Sequence, residues 1–105
     1  MLLMLATPRP VIADQVSDGI AAYNRKDYSS ALRLWRPLAE RGNSAAQSNL
    51  GFMYATGRGV PKNNVLAYMW FNIANAKTNR DFVAAMMTPR QIAEARRLSR
   101  KWKAK

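Results

Sequence analysis

The sequence contains neither cysteine nor histidine, and only six of its 105 residues are acidic. Without these residue types there are no disulfides, no Cys/His zinc sites, and no Ser–His or Cys–His nucleophile pairs. The acidic residues show no spacing typical of a convergent acid and base; they are Asp14, Asp18, Asp27, Glu40, Asp81 and Glu94. The composition therefore predicts a protein that is not an enzyme and that needs no metal or other cofactor.

Acidic residues are also few relative to basic ones. Seventeen lysines and arginines give a formal net charge of +11. Such an excess favours anionic partners, namely nucleic acid, anionic lipid, an envelope polymer or an acidic protein surface, and it also keeps a small domain soluble. Because 49% of the residues are hydrophobic, we expect one folded domain rather than a disordered chain.

Long apolar runs are absent as well, so no transmembrane segment is predicted, since a span needs about 20 apolar residues. Residues 1–13 nevertheless differ from the rest, because residues 1–6 are apolar and residues 11–13 resemble a cleavage site before Asp14. A basic leading region and a full-length apolar region are missing. We interpret residues 1–13 as a truncated or degenerate signal peptide and expect a periplasmic or secreted protein. A disordered arm on a cytoplasmic protein is the alternative.

Helical periodicity fills the remainder, and no strand-like alternation is found. The pattern predicts an all-α protein of about five to six helices. Their expected ranges are about Asp14–Arg25, Tyr28–Arg41, a helix opening at Ser44, Asn63–Ala76, a short helix at Asp81–Met86, and a last helix from Pro89 to about Trp102.

Capping signals mark the helix starts. Asp27 and Asn63 are predicted N-caps, and the segment from Ser44 to Gln47 is predicted to form a capping box. The strongest signal is Thr88-Pro89-Arg90-Gln91, with threonine as N-cap, proline at the first helical position and glutamine completing a capping box. Gly57-Arg58-Gly59-Val60-Pro61 predicts a turn in which two glycines take positive φ.

Large side chains at helical spacing predict the core. We expect Trp35, Trp70 and Phe71 to be buried, and Val16, Ile20 and Tyr23 to form the inner face of the first helix. Gly51 lies inside a predicted helix, where glycine costs about 1 kcal/mol relative to alanine. Its presence therefore indicates that another helix comes close to the backbone there.

Two helix pairs share the same pattern of small and large residues. Ala31, Trp35 and Ala39 in the first pair correspond to Ala67, Trp70 and Ala74 in the second. Ala31 and Ala67 are 36 residues apart, a period within the range of helical solenoids. Small alanines allow helices to approach, and the indoles fill the space between successive pairs.

Many of these residues resemble the consensus of the Sel-one-like repeat (SLR) family, a tetratricopeptide-related α/α repeat with a glycine-rich loop. They are Ala46-Gln47, Leu50-Gly51, Tyr54, Gly57, Gly59-Val60-Pro61, Ala67, Trp70-Phe71 and Ala74. The resemblance implies a short solenoid of antiparallel helix pairs, with a partial repeat at 14–43, a complete repeat at 44–77, and capping helices with a basic tail at 78–105. Asn63 departs from the usual aspartate. The family also implies a protein–protein interaction scaffold or adaptor, often in exported bacterial proteins, with no particular partner.

Basic residues concentrate at the C-terminus, where seven lysines and arginines after Thr88 accompany one acid, Glu94. A solvated outer face is one explanation. A docking surface for an anionic partner, formed by Arg90, Arg97, Arg100 and Lys101, is the other. Nucleic acid is not favoured, because no recognised reading motif accompanies the charge. We therefore predict a non-catalytic scaffold that binds a protein partner, with an electrostatic binder of an anionic partner as the alternative.

Overall fold

Capping side chains and short turns divide residues 11–105, the part of the chain that the computed structural model describes, into six α-helices. These are α1 (Ile12–Asn24), α2 (Tyr28–Glu40), α3 (Ser44–Thr56), α4 (Asn64–Ile73), α5 (Lys77–Ala84) and α6 (Pro89–Lys101). Strands are absent from this range, so the all-α prediction is confirmed. Most of the predicted signal peptide, residues 1–10, lies outside the described residues, and Ile12 and Ala13 already belong to α1.

Three of the predicted N-caps are confirmed. The Asp27 carboxylate accepts a hydrogen bond from the Ser30 amide at 3.2 Å, and the Ser30 bonds hold the pKa of Asp27 below its usual value. The Asn63 side chain accepts from the Leu66 amide at 3.0 Å. At α6 both bonds of the capping box form, with Thr88 and Gln91 each accepting from the other's amide.

The predicted capping box at Ser44 is wrong. Asn43 is the N-cap and accepts from the Ala46 amide at 2.8 Å, while Ser44 is the first helical residue. The Gln47 side chain is buried, and its Nε2 donates to the Ala39 carbonyl at 3.0 Å. Because a buried amide needs a partner, Gln47 joins α3 to the last turn of α2 instead of capping its own helix.

The boundary between α4 and α5 also differs from the prediction. The helix α4 ends at Ile73 rather than Ala76, and α5 begins at Lys77 rather than Asp81. Asn75 turns the chain with a φ of 61°, a left-handed conformation that asparagine tolerates better than most residues. The polar residues 77–80 thus form an outward-facing first turn of α5 and not a loop.

Successive helices pack as antiparallel pairs, and α4 lies at the centre because it contacts α3, α5 and α6. Trp35, Trp70 and Phe71 are 3%, 8% and 2% exposed, as predicted. Tyr23 and Tyr54 are half-buried at the edges of this core. Gly51 faces α4, where an added Cβ would lie 2.8 Å from the Phe71 ring and 3.3 Å from the Ala67 carbonyl oxygen.

The inner face of α1 differs from the predicted stripe. Its buried residues are Gly19 and Ala22, whereas Ile20 is 44% exposed. The Trp35 indole lies directly against Gly19 and donates its N–H to the Val16 carbonyl at 3.1 Å. Because this ring fits only over a residue without a side chain, α1 turns its small residues toward α2 and leaves Ile20 outside.

The last helix packs against α4, and the tail after it runs back to α2. In α6, Ala95 is fully buried against α4. Trp102 packs edge-on against Trp70 with ring centroids 6.2 Å apart. The Lys105 amide then donates to the Glu40 carbonyl at 2.8 Å, which ties the tail to α2. None of the helices described here has the length and apolar character needed to cross a membrane.

Candidate interaction surface

The helices α1, α3 and α5 lie on one side of the stack and scarcely touch one another, because α2 and α4 separate them. Two open grooves result, one between α1 and α3 and one between α3 and α5. We call the exposed side of these three helices the odd-helix face. Phe52 of α3 lines both grooves and is therefore the residue that joins them.

Groove 1 lies between α1 and α3 and has a volume of about 290 Å³. Its walls are largely aromatic, because the Tyr23 ring lies 5.9 Å from Trp35 and 6.3 Å from Phe52 between centroids. Ile20 and Asn49 complete the lining. Since the Trp35 indole N–H already donates to a backbone carbonyl, groove 1 offers mainly apolar contact.

Groove 2 lies between α3 and α5 and is smaller, at about 130 Å³. The buried Phe71 ring contributes to its lining, together with Phe82 of α5 and Met86, which follows α5. Phe82 is 72% exposed and Phe52 47% exposed, high values for phenylalanine. Contiguous exposed apolar surface of this kind marks interaction sites in soluble proteins.

The odd-helix face carries little charge. The net charge of the three helices is −1. The helix α1 contains two aspartates, α3 contains no charged residue, and α5 contains Lys77, Arg80 and Asp81. The large positive charge of the chain is therefore located elsewhere. A weakly charged, partly aromatic face is suited to contact with apolar side chains of another protein.

Arg58, in the glycine-rich loop after α3, contacts Tyr23, one of the residues that line groove 1. Its Nη1 donates to the Tyr23 hydroxyl at 2.6 Å, and its guanidinium lies 5.7 Å from the Tyr23 ring and 6.0 Å from the Tyr28 ring. The hydrogen bond to Tyr23 raises the pKa of Arg58 above its already high usual value. The side chain is thus an ordered, permanent cation.

The four basic residues predicted as a docking surface are all exposed on α6. Arg90, Arg97 and Lys101 are spaced by seven and four residues and so lie along one helix face, with Arg100 beside it. Glu94 holds Arg97 through two hydrogen bonds of 2.7 and 2.9 Å. Arg90, Arg100 and Lys101 have no acidic partner among the described residues.

The sequence pattern did not predict Phe52, Phe82 or Met86 as surface residues. No sequence signal singles out Phe52 or Phe82, because a helical residue next to a buried one can itself be buried, as Phe71 is beside Trp70. Within residues 11–105, no group of three or more acidic side chains could hold a metal ion.

These features define an α/α repeat protein: the helices pair through small residues, indoles lie between the pairs, and one open face carries exposed aromatic residues. The Sel1 repeat profile matches residues 19–43 and 44–79, more than half of the chain. The chain therefore belongs to the Sel1 repeat family, whose repeats generally mediate protein interactions.

A solved structure agrees with this assignment. The fold is similar to the crystal structure of a protective antigen present in uropathogenic Escherichia coli strains, which displays an SLR fold, with a TM-score of 0.82 and 32% identity over 88% of this chain. The chain covers 22% of the length of that antigen. No match is found among curated proteins. The predicted SLR resemblance and short solenoid are confirmed.

Proposed function

We propose that this chain is a non-catalytic adaptor that binds a segment of another protein across the odd-helix face. The observation that carries the proposal is Phe52, whose half-exposed ring forms a wall of both grooves. Covering such a ring removes apolar surface from water, worth about 25 cal/mol per Å². Aromatic anchors of this type dominate the energetics of protein interfaces.

The size of the face sets the kind of partner. Each groove accommodates one or two bulky side chains, and the grooves meet at Phe52. A short segment with two apolar side chains therefore fits better than a large rigid surface. With only three short helices contributing, we expect affinity in the roughly micromolar range, typical of small and transient interfaces.

Replacing Phe52 by alanine tests the proposal. Binding partners are selected from a phage-displayed library of random peptides, and dissociation constants are then measured by isothermal titration calorimetry. We expect Phe52→Ala to weaken binding by at least about tenfold, because loss of an aromatic anchor costs roughly 1–2 kcal/mol or more. Stability should change little, since half of the ring is already in water.

The control is Leu34→Ala, which removes a half-buried apolar side chain of α2 that lines neither groove. It should leave peptide affinity unchanged. If Phe52→Ala binds the selected peptides as tightly as the wild type, the odd-helix face is not the binding surface.

The basic face of α6 supports a second candidate function, electrostatic binding of an anionic partner. The favouring observation is that Arg90, Arg100 and Lys101 lack acidic partners among the described residues, on a helix held in place by the buried Ala95 and by Trp102. No exposed apolar anchor accompanies them, so attraction would be mainly to arrays of negative charge. Three unpaired cations on one exposed helix are suited to a phosphate-rich surface.

Vesicles of phosphatidylcholine with and without phosphatidylglycerol test this second function by co-sedimentation. The double variant Arg90→Gln/Lys101→Gln should bind anionic vesicles about thirtyfold more weakly, since each basic residue near such a surface contributes about 1 kcal/mol. Lys62→Gln/Lys77→Gln removes the same charge elsewhere. Equal losses in the two variants would show that net charge, and not the α6 face, attracts the vesicles. A DNA duplex added as a competitor to the vesicles shows whether the α6 face prefers lipid to nucleic acid.

A further inference from the structure

We infer that groove 1 selects segments that carry a carboxylate beside the bulky apolar side chain that fills it, and that Arg58 is the residue that recognises the carboxylate. The inference rests on the proposed function, because it concerns the same face, and it adds the chemical class of the partner. Its basis is the placement of one ordered cation at the rim of a groove whose lining contains no charged residue.

The glycine-rich loop holds Arg58 in place. Gly57 and Gly59 both adopt positive φ, at 72° and 77°. The Arg58 amide donates to the Met53 carbonyl at 3.1 Å, and a Cβ on Gly59 would lie 3.0 Å from the Tyr28 Cβ. The loop is therefore packed closely against the first residue of α2, which places Arg58 next to Tyr23.

The side chain of Arg58 is ordered yet retains most of its hydrogen-bonding capacity. The Tyr23 hydroxyl accepts from Nη1, and the guanidinium lies against the neighbouring rings of Tyr23 and Tyr28. A guanidinium has five N–H donors in a planar fork that matches a carboxylate. Among residues 11–105 no acidic side chain forms an ion pair with Arg58. Because the fork is already positioned, a ligand loses less free energy to side-chain ordering.

Groove 1 and Arg58 share Tyr23, which joins the two parts of the recognition site. One side of the Tyr23 ring contributes to the apolar wall, and its hydroxyl bonds Arg58. A side chain that fills the groove thus brings its neighbours close to the guanidinium. The positive charge there favours aspartate, glutamate or a C-terminal carboxylate and disfavours lysine and arginine.

Parallel peptide selections on the wild type, Arg58→Gln and Lys62→Gln test the inference. Lys62→Gln removes the same charge from the same exposed loop region, so it controls for general attraction of acidic peptides to a basic protein. Wild type and Lys62→Gln should enrich peptides with an acidic residue near a bulky apolar one. Arg58→Gln should still enrich apolar peptides but lose the acidic preference.

A thermodynamic cycle makes the test quantitative. A selected acidic peptide should bind Arg58→Gln about fivefold more weakly than wild type, near the upper end for an exposed ion pair. The same peptide with its acid replaced by the amide should bind both proteins equally. If Arg58 only stabilises the loop, both peptides will lose affinity to the same extent, and the inference is overturned.

The outcomes separate this inference from the proposed function. The inference fails, and the proposed function stands, in two cases. In the first, the selected peptides depend on Phe52 but show no acidic preference. In the second, they depend on Phe52 and the acidic preference persists in Arg58→Gln. If no selected peptide depends on Phe52, the proposed function fails and the inference fails with it. Peptides that depend on Phe52 and lose their acidic preference only in Arg58→Gln support both.

Discussion

Replacing Gly51 by leucine is expected to destabilise the protein by about 3 kcal/mol or more, at or beyond the usual range for overpacking a core. A single added Cβ already lies 2.8 Å from the Phe71 ring, and the Ala67 carbonyl on the α4 backbone is 3.3 Å away. The three further carbons of leucine can be accommodated only if α3 and α4 separate. Leucine has a higher helix propensity than glycine by nearly 1 kcal/mol, so any loss of stability must come from packing.

Thermal melting followed by circular dichroism checks this prediction. For a domain of this size, 3 kcal/mol corresponds to a fall in Tm of about 12–24 °C. Ala45→Leu is the matched control, because it adds the same side chain at an exposed position of the same helix. A Gly51→Leu variant that melts within about 2 °C of the wild type would show that α3 and α4 need no close contact there.

Trp70→Ala is expected to cost about 3–5 kcal/mol, the usual loss for a buried aromatic residue. The Trp70 ring is 8% exposed, belongs to the same core cluster as Leu50 and Met53, and packs edge-on against Trp102. Its removal leaves a cavity between α4, the neighbouring helices and the C-terminal tail. Since domains are stable by about 5–15 kcal/mol, this substitution removes a large part of the total.

Urea unfolding measures the loss directly, and Trp70→Phe serves as its comparison because it keeps a ring in the site. Trp102→Ala should cost less, since Trp102 is only half-buried. The variant with both Trp70→Ala and Trp102→Ala should lose less stability than the two single variants lose together, because the two indoles are in contact. A loss of under about 1 kcal/mol for Trp70→Ala would mean that the indole is not needed between the pairs.

The core was predictable because burial follows helical periodicity. Trp35, Trp70 and Gly51 lie where alternation of large and small residues predicts them. Local capping was predictable where the side chain had no competing role, as at Thr88. Capping was not predictable at Gln47, because its side-chain amide donates to a buried carbonyl of another helix. A local sequence pattern does not reveal such a contact.

The candidate site was predictable only in part. Clustering of lysine and arginine at the C-terminus identified the α6 face, since charge can be counted along a chain. Phe52 and Phe82 escaped notice because an apolar residue beside a buried stripe has the same sequence pattern whether a neighbour covers it or not. Arg58 could not be recognised either, because its contact with Tyr23 spans 35 positions of the chain.

Sequence by itself determined the helical class, the repeat and most of the helix starts, since these depend on contacts between residues a few positions apart. Tertiary structure alone decided which apolar rings remain uncovered. The Trp35 ring must lie on Gly19, which turns Ile20 outward, and α2 and α4 hold α1, α3 and α5 apart. The physical reason is that solvent exposure depends on neighbours distant in the chain, so the odd-helix face exists only once the helices have packed.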